Sequence, residues 1–147
     1  MSRVEILRVD VAVVIDLRQK VLRAGLSREA AHFDGDDLPD TVHIAALEGG
    51  AVIGCATVLS NSFNGERACQ LRGMAVDPAM QGQGIGRKLL EEIERIATER
   101  GVTRLWANCR KPAVGFYRKN GWVSVSEEFE IPTAGPHIKM TRRLDGV

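Results

Sequence analysis

Between Met74 and Lys88 the chain reads Met-Ala-Val-Asp-Pro-Ala-Met-Gln-Gly-Gln-Gly-Ile-Gly-Arg-Lys: a β-rich start, an Asp77-Pro78 break, then glycines at alternate positions. Ile85, Leu89, Ile93, Ile96 and Ala97 recur at helical spacing beyond it, so Gly82, Gly84 and Gly86 sit where a strand hands over to a helix. A helix start leaves four N–H groups without internal partners and carries about half a positive charge. With no side-chain bulk in the way, such a turn can cradle a pyrophosphate on its backbone amides. The same glycines also suit a tight turn that binds nothing, and this stretch alone leaves both readings open.

Two familiar phosphate turns fail on the letters. Gly86-Arg87-Lys88-Leu89 lacks the Ser or Thr that follows the lysine of a Walker loop. A dinucleotide fingerprint would need glycine at Arg87 and a βαβ unit around it. Instead, residues 42–47, 51–60 and 68–76 read as three successive strands, the first two joined through Glu48-Gly49-Gly50, an antiparallel meander. Upstream, residues 4–9 alternate as a first strand, and Asp10 can cap a helix over 11–22 with Val14, Leu17 and Val21 on its buried face. Residues 23–41 are rich in turn formers and read as loop with room for one short helix. Downstream, Gly101 ends the long helix, 102–108 is strand-like, and 113–119 forms a short helix closed by Gly121. Strands over 122–129 and 138–143 complete the order β-α-(loop/α)-β-β-β-α-β-α-β-β, an α+β class with a mixed sheet.

The 147 residues suit a single domain over 1–147. A formal charge of +1 supplies none of the field that nucleic acid or an anionic membrane surface attracts, so any anion must be held locally. Cys55, Cys69 and Cys109 have neither metal-like nor redox-like spacing, so no metal is expected. No apolar run approaches the roughly 20 residues that cross a bilayer, and the first residues lack a leader's apolar core. A cytoplasmic protein is expected.

Gln81, Gly84 and Gly86, directly after a strand, match the Gln-x-x-Gly-x-Gly signature of the GNAT N-acetyltransferase superfamily. Downstream, Ala113-Val-Gly-Phe116-Tyr117-Arg-Lys-Asn-Gly121-Trp122 resembles that family's second motif: an alanine, then Phe-Tyr, then a glycine-aromatic pair. Element order extends the resemblance over nearly the whole chain. Leu17-Arg18, Val21-Leu22-Arg23, Gly35-Asp36-Asp37 and Pro136-His137-Ile138-Lys139-Met140 are similar to a small bacterial group typified by ElaA.

The resemblance implies an acetyl-CoA-dependent acyltransferase with a GNAT-like, mainly antiparallel sheet, acting on the amine of a small molecule or peptide, and a homodimer is common in the family. It places the pantetheine arm along 71–76, with contacts at Met74, Ala75 and Val76. It places the pyrophosphate at Gln81, Gly82, Gln83, Gly84, Ile85, Gly86 and Arg87, with Phe116 nearby. Tyr117, the chain's one tyrosine, becomes the candidate proton donor to the leaving thiolate. The family's usual asparagine falls at Arg110 here, which leaves Asn108 as its nearest substitute and Arg110 as either an anion-binding group or an exposed loop charge. His43, Glu66 and His137 are isolated in sequence, so a general base depends on the fold bringing one of them inward. Cys109 reads as a small buried thiol rather than a nucleophile. The aspartates at 34, 36, 37 and 40 are open to two readings, attraction of a cationic acceptor or plain solvation. A module that binds CoA without catalysis is the alternative.

Overall fold

The computed structural model describes residues 3–145. The chain runs β1 (Val4–Val9), α1 (Val11–Leu22), β2 (Val42–Glu48), β3 (Ala51–Ser60), β4 (Cys69–Val76), α2 (Ile85–Glu99), β5 (Arg104–Arg110), α3 (Val114–Lys119), β6 (Val123–Ser124), β7 (Phe129–Ile131) and β8 (Gly135–Arg143). One sheet in the order β1-β2-β3-β4-β5-β8-β6, with β7 also paired to β8, gives the α+β class read from the sequence. Gly49 and Gly50 both take positive φ, 57° and 83°, as a two-residue hairpin between β2 and β3 requires.

Helices cover both faces. On one, α2 buries Ile85, Leu89, Leu90, Ile93 and Ile96 against Ile44, Val58, Leu71, Leu105 and Met140. Gly54 makes room for it: a Cβ there would lie 2.9 Å from Ile85 Cγ2. On the other face α1 seats Val14 and Leu17 on Cys55 and Ala75, while Val21 packs only at the rim. Asp10 stands at the head of α1, but its carboxylate makes no capping bond. No helix among the described residues is long and apolar enough to cross a membrane.

All sheet neighbours are antiparallel except β4 and β5. That parallel pair has two rungs, Cys69↔Leu105 and Gln70↔Trp106; beyond them the strands part. β4 also slips against β3 between Cys55 and Thr57, where Gly73 at φ 63° sits in the bulge.

Several boundaries differ from the expected ones. The strand anticipated over 122–129 is interrupted: Ser126 Oγ accepts from the Lys139 amide at 2.9 Å, a bond that a ladder carbonyl would otherwise take. β6 therefore stops at Ser124, Glu127 and Glu128 stay exposed, and pairing resumes in β7 with β8 starting at Gly135. Val102 belongs to the close of α2, since its amide returns 2.9 Å to the Ala97 carbonyl. β5 accordingly begins at Arg104 and runs on to Arg110, which is half-buried strand rather than exposed loop.

Candidate active site

The glycine turn leaves β4 at Val76. Asp77 Oδ1 accepts from the Ala79 amide at 3.0 Å and its Oδ2 meets Lys20 Nζ at 3.1 Å, which pins the turn to α1. Its carboxyl is held below the ordinary range by the Ala79 amide first and then by Lys20. Gly82 and Gly84 take φ of 82° and 80°, Gly84 directly preceding α2, and nothing lies within 4 Å of a Cβ built on either. Gln81, Gln83 and Arg87 are exposed around them, and Gln81 Nε2 reaches back to the Val76 carbonyl at 3.4 Å. The first amides of α2 thus open to solvent without side-chain cover.

Gly86 has a different reason to be glycine. A Cβ there would lie 2.9 Å from Phe116 Cζ, so its missing side chain lets α3 close on α2 rather than admitting a ligand. The expectation that Gly86, like Gly82 and Gly84, clears an approach for phosphate is corrected on that point. Ile85 is buried in the core beneath the turn.

The Phe-Tyr…Gly-Trp motif is the closing of α3. Gly121, at φ 92°, donates to the Arg118 carbonyl at 3.1 Å, and Trp122 donates to the Tyr117 carbonyl at 3.1 Å. In such a helix close the residue after the glycine packs on the residue three places before the cap. Here these are Trp122 and Tyr117, with ring centroids 5.2 Å apart, and Phe116 lies 5.3 Å from Tyr117 on the other side. Tyr117 is buried beside Cys109. Burial first, then Cys109, raises its phenol well above the ordinary 10.0. The Cys109 thiol is itself pushed up to about 12 by burial. It is a packed thiol, not an activated one.

Where β4 and β5 part, one edge of β4 has no strand beside it. Asp77 donates to the Ile53 carbonyl at 2.8 Å, so alternation turns the backbone of Val76 away from β3, and Met74 behaves likewise two residues earlier. Across the gap, Leu105, Ala107 and Cys109 of β5 face α2 and α3, and Trp106, Asn108 and Arg110 face the side of α1. Asn108 lines a cleft of about 400 Å³ with Phe63, Val125, Phe129 and Lys139, and its Oδ1 is buried without a hydrogen-bond partner.

The base candidates do not converge. His43 is held by Thr57 Oγ1 at 2.7 Å and the Asp36 carbonyl at 3.0 Å. His137 Nδ1 meets the Gly135 carbonyl at 2.8 Å. Glu66 pairs with Arg104 and Arg143 at 3.2 and 3.8 Å. The acidic loop resolves in part: Asp36 is buried in a two-point pair with Arg18, 2.7 and 3.1 Å, and so is closed to any substrate, while Asp34, Asp37 and Asp40 are exposed. Sequence reading missed the Arg18–Asp36 pair because it joins distant segments, although both residues stand in the stretches that resemble ElaA.

A sheet whose parallel strands part in front of a glycine turn and helix start is the arrangement that the resemblance to acyltransferases implies. The chain belongs to the GNAT acetyltransferase family, whose model matches residues 14–122. An uncharacterised N-acetyltransferase of Bacillus subtilis, YitI, is 30% identical over 143 residues, 95% of this chain and 96% of that protein. Among solved structures, Escherichia coli ElaA superposes with a TM-score of 0.75 over 97% of this chain and 100% of its own, at 22% identity. A GNAT family acetyltransferase from Elizabethkingia anophelis, solved with acetyl-CoA bound, gives 0.71 over 96% and 98% at 18% identity. At those identities the two structures speak for the fold.

Proposed function

We propose that this acyltransferase moves the acetyl group of acetyl-CoA directly onto the nitrogen of a small amine or peptide. The parting of β4 from β5 beyond Gln70↔Trp106 is the observation that most supports this reading. An extended pantetheine arm can add to the free edge of β4 as a strand would, bonding to the main chain of Met74 and Val76 on either side of Ala75. The arm then leads into the turn, where the amides from Gln81 to Arg87 receive the pyrophosphate and Gly82 and Gly84 keep the approach clear. Arg87 adds a cation that only an anion makes favourable at a helix start. That the Elizabethkingia relative carries acetyl-CoA supports the same ligand here.

Acetyl-CoA supplies the activated thioester. Acyl transfer to an amine needs the neutral nitrogen to attack the thioester carbon, the C–S bond to break, and the departing sulfur to be relieved of its charge. Tyr117 serves the last need. Its raised pKa keeps the phenol protonated across the neutral range, so it donates a hydrogen bond to sulfur, whose thiol titrates at about 8.5, and solvent completes the protonation. The attacking nitrogen loses its proton to solvent as well, because His43, His137 and Glu66 are engaged elsewhere.

Release of free CoA thiol, followed against a panel of amines, amino acids, peptides and polyamines, tests the reading. Tyr117→Phe should keep acetyl-CoA affinity and lower turnover about 10²-fold. More than half of wild-type turnover in that variant, with chemistry rate-limiting, makes Tyr117 a packing residue. Acetyl-CoA binding without thiol release for any acceptor would instead indicate a regulatory module.

A further inference from the structure

The face of the sheet beneath α1 carries more positive charge than its own carboxylates offset. Arg18, the deepest, has its charge met: Asp36 at two points, the Ala31 carbonyl at 2.9 Å and Thr57 Oγ1 at 2.7 Å, with only its Nε left unpartnered. Arg72 bonds Gln70 Oε1 at 3.2 Å and the Asp34 carbonyl, and feels the charges of Asp36 and Asp34. Arg23 and Arg110 have no such relief. Both are half-buried, and neither has a carboxylate within ion-pair distance among the described residues. Each holds one backbone carbonyl at the end of α1: Arg23 Nη1 donates to Leu22 at 2.9 Å and Arg110 Nη1 to Val21 at 3.4 Å. A guanidinium has five donors, so most of this fork remains free.

The two are close enough to repel. Burial first, then the charges of Arg110 and Arg18, pulls the Arg23 pKa below its ordinary value, and no anion acts in the other direction. Partly buried guanidiniums set side by side are costly unless an anion completes them, and a carboxylate fits their planar fork at two points. Arg23 is also held in place, its guanidinium carbon 4.8 Å from the centre of the Phe33 ring, whose other cationic neighbour is Arg18 at 4.3 Å.

The position of this pair identifies which anion it awaits. Arg110 ends β5, beyond the last rung with β4, at the mouth of the gap. Two residues back along the same face, about 7 Å, Asn108 lines the 400 Å³ cleft and carries a buried, unpartnered oxygen that an N–H donor would satisfy. This face of β5 therefore offers a hydrogen-bond acceptor at Asn108 and, where Arg110 meets Arg23 at the end of α1, two uncompensated cations. We propose that Arg110 and Arg23 bind the carboxylate of the acceptor, so that the amine acetylated belongs to a free amino acid whose side chain enters the cleft between Phe63, Val125 and Phe129. This rests on the direct-transfer reading above.

The experiment measures thiol release from acetyl-CoA with each of the common amino acids beside its primary amide. At least one acid should exceed its amide tenfold or more in kcat/KM. Arg110→Gln and Arg23→Gln should each collapse that ratio at least tenfold while the acetyl-CoA Kd from calorimetry stays within twofold. Amides used as well as acids overturn the proposal. So does a tenfold weaker acetyl-CoA Kd in the variants, which would give the two guanidiniums to the phosphates of CoA. If no amine releases thiol, direct transfer itself fails, and the anion site is then read by titrating N-acetylglycine and N-acetylglycinamide into CoA-saturated protein. Tighter binding of the acid, lost in Arg110→Gln, supports the site; equal affinity or none overturns it.

Discussion

At the scale of single residues, the two glycines of the Gln-x-x-Gly-x-Gly signature are glycine for different physical reasons, and substitution separates them. Gly84 sits at φ 80° with open space around it, so alanine there costs about 1 kcal/mol of backbone strain and sets a methyl group beside the proposed pyrophosphate. Gly84→Ala should therefore weaken acetyl-CoA binding by calorimetry at least tenfold, more than its loss of about 1 kcal/mol in unfolding stability explains. Gly86 lies inside α2 against Phe116 Cζ, where an added methyl overpacks the contact by about 1–3 kcal/mol, partly offset by alanine's better helix propensity. Gly86→Ala should show its loss in urea unfolding, and Phe116→Leu in the same chain should restore most of it; additive losses would mean that the contact does not set the cost. Tyr117 shows the same merging of roles. Its place three residues before the cap of α3 makes it the packing partner of Trp122, and that fixes the phenol beside Cys109.

At the scale of elements, the strand-turn-helix unit was legible because local rules decide it: glycine at positive φ, periodic apolar residues, and helix closes at Gly101 and Gly121. The parting of β4 and β5 was not legible in their own letters. Both strands carry ordinary β residues, and their separation depends on the Gly73 bulge and on β8 holding β5 over its full length, from Arg104↔Arg143 to Arg110↔His137. The break between β6 and β7 was missed because a serine side chain replaced a main-chain partner, a substitution that alternation cannot register. If pantetheine fills the gap, amide exchange at Met74 and Val76 should slow when CoA binds, and the β3 amides from Val52 to Val58, already paired on both sides, should hardly change. Protection confined to those β3 amides would place the ligand elsewhere.

At the scale of the molecule, α1, the 23–41 loop and the sheet are joined by one buried constellation: Arg18, Asp36, Thr57 and His43, with Phe33 laid on Arg18. Gly73 belongs to it too, since a Cβ there would lie 2.8 Å from Arg18 Nε. Burial alone would raise the Asp36 carboxyl; the Arg18 hydrogen bonds, the Phe33 amide and the charges of Arg18 and His43 more than reverse this, and its pKa falls below 3.8. A carboxyl whose folded pKa is depressed adds stability above its unfolded value, near 3.9, and loses it as pH drops through the folded value. Acid unfolding below about pH 4 should thus be steeper in the wild type than in an Arg18→Met, Asp36→Leu double variant. The double variant itself should be near neutral at pH 7, whereas Asp36→Asn alone strands a buried guanidinium and should cost about 3–5 kcal/mol. Because Phe33 links Arg18 to Arg23, the double variant should also raise the acceptor KM and leave acetyl-CoA affinity unchanged. Equal losses for acceptor and acetyl-CoA would show instead that the constellation supports the whole sheet and not the acceptor side in particular.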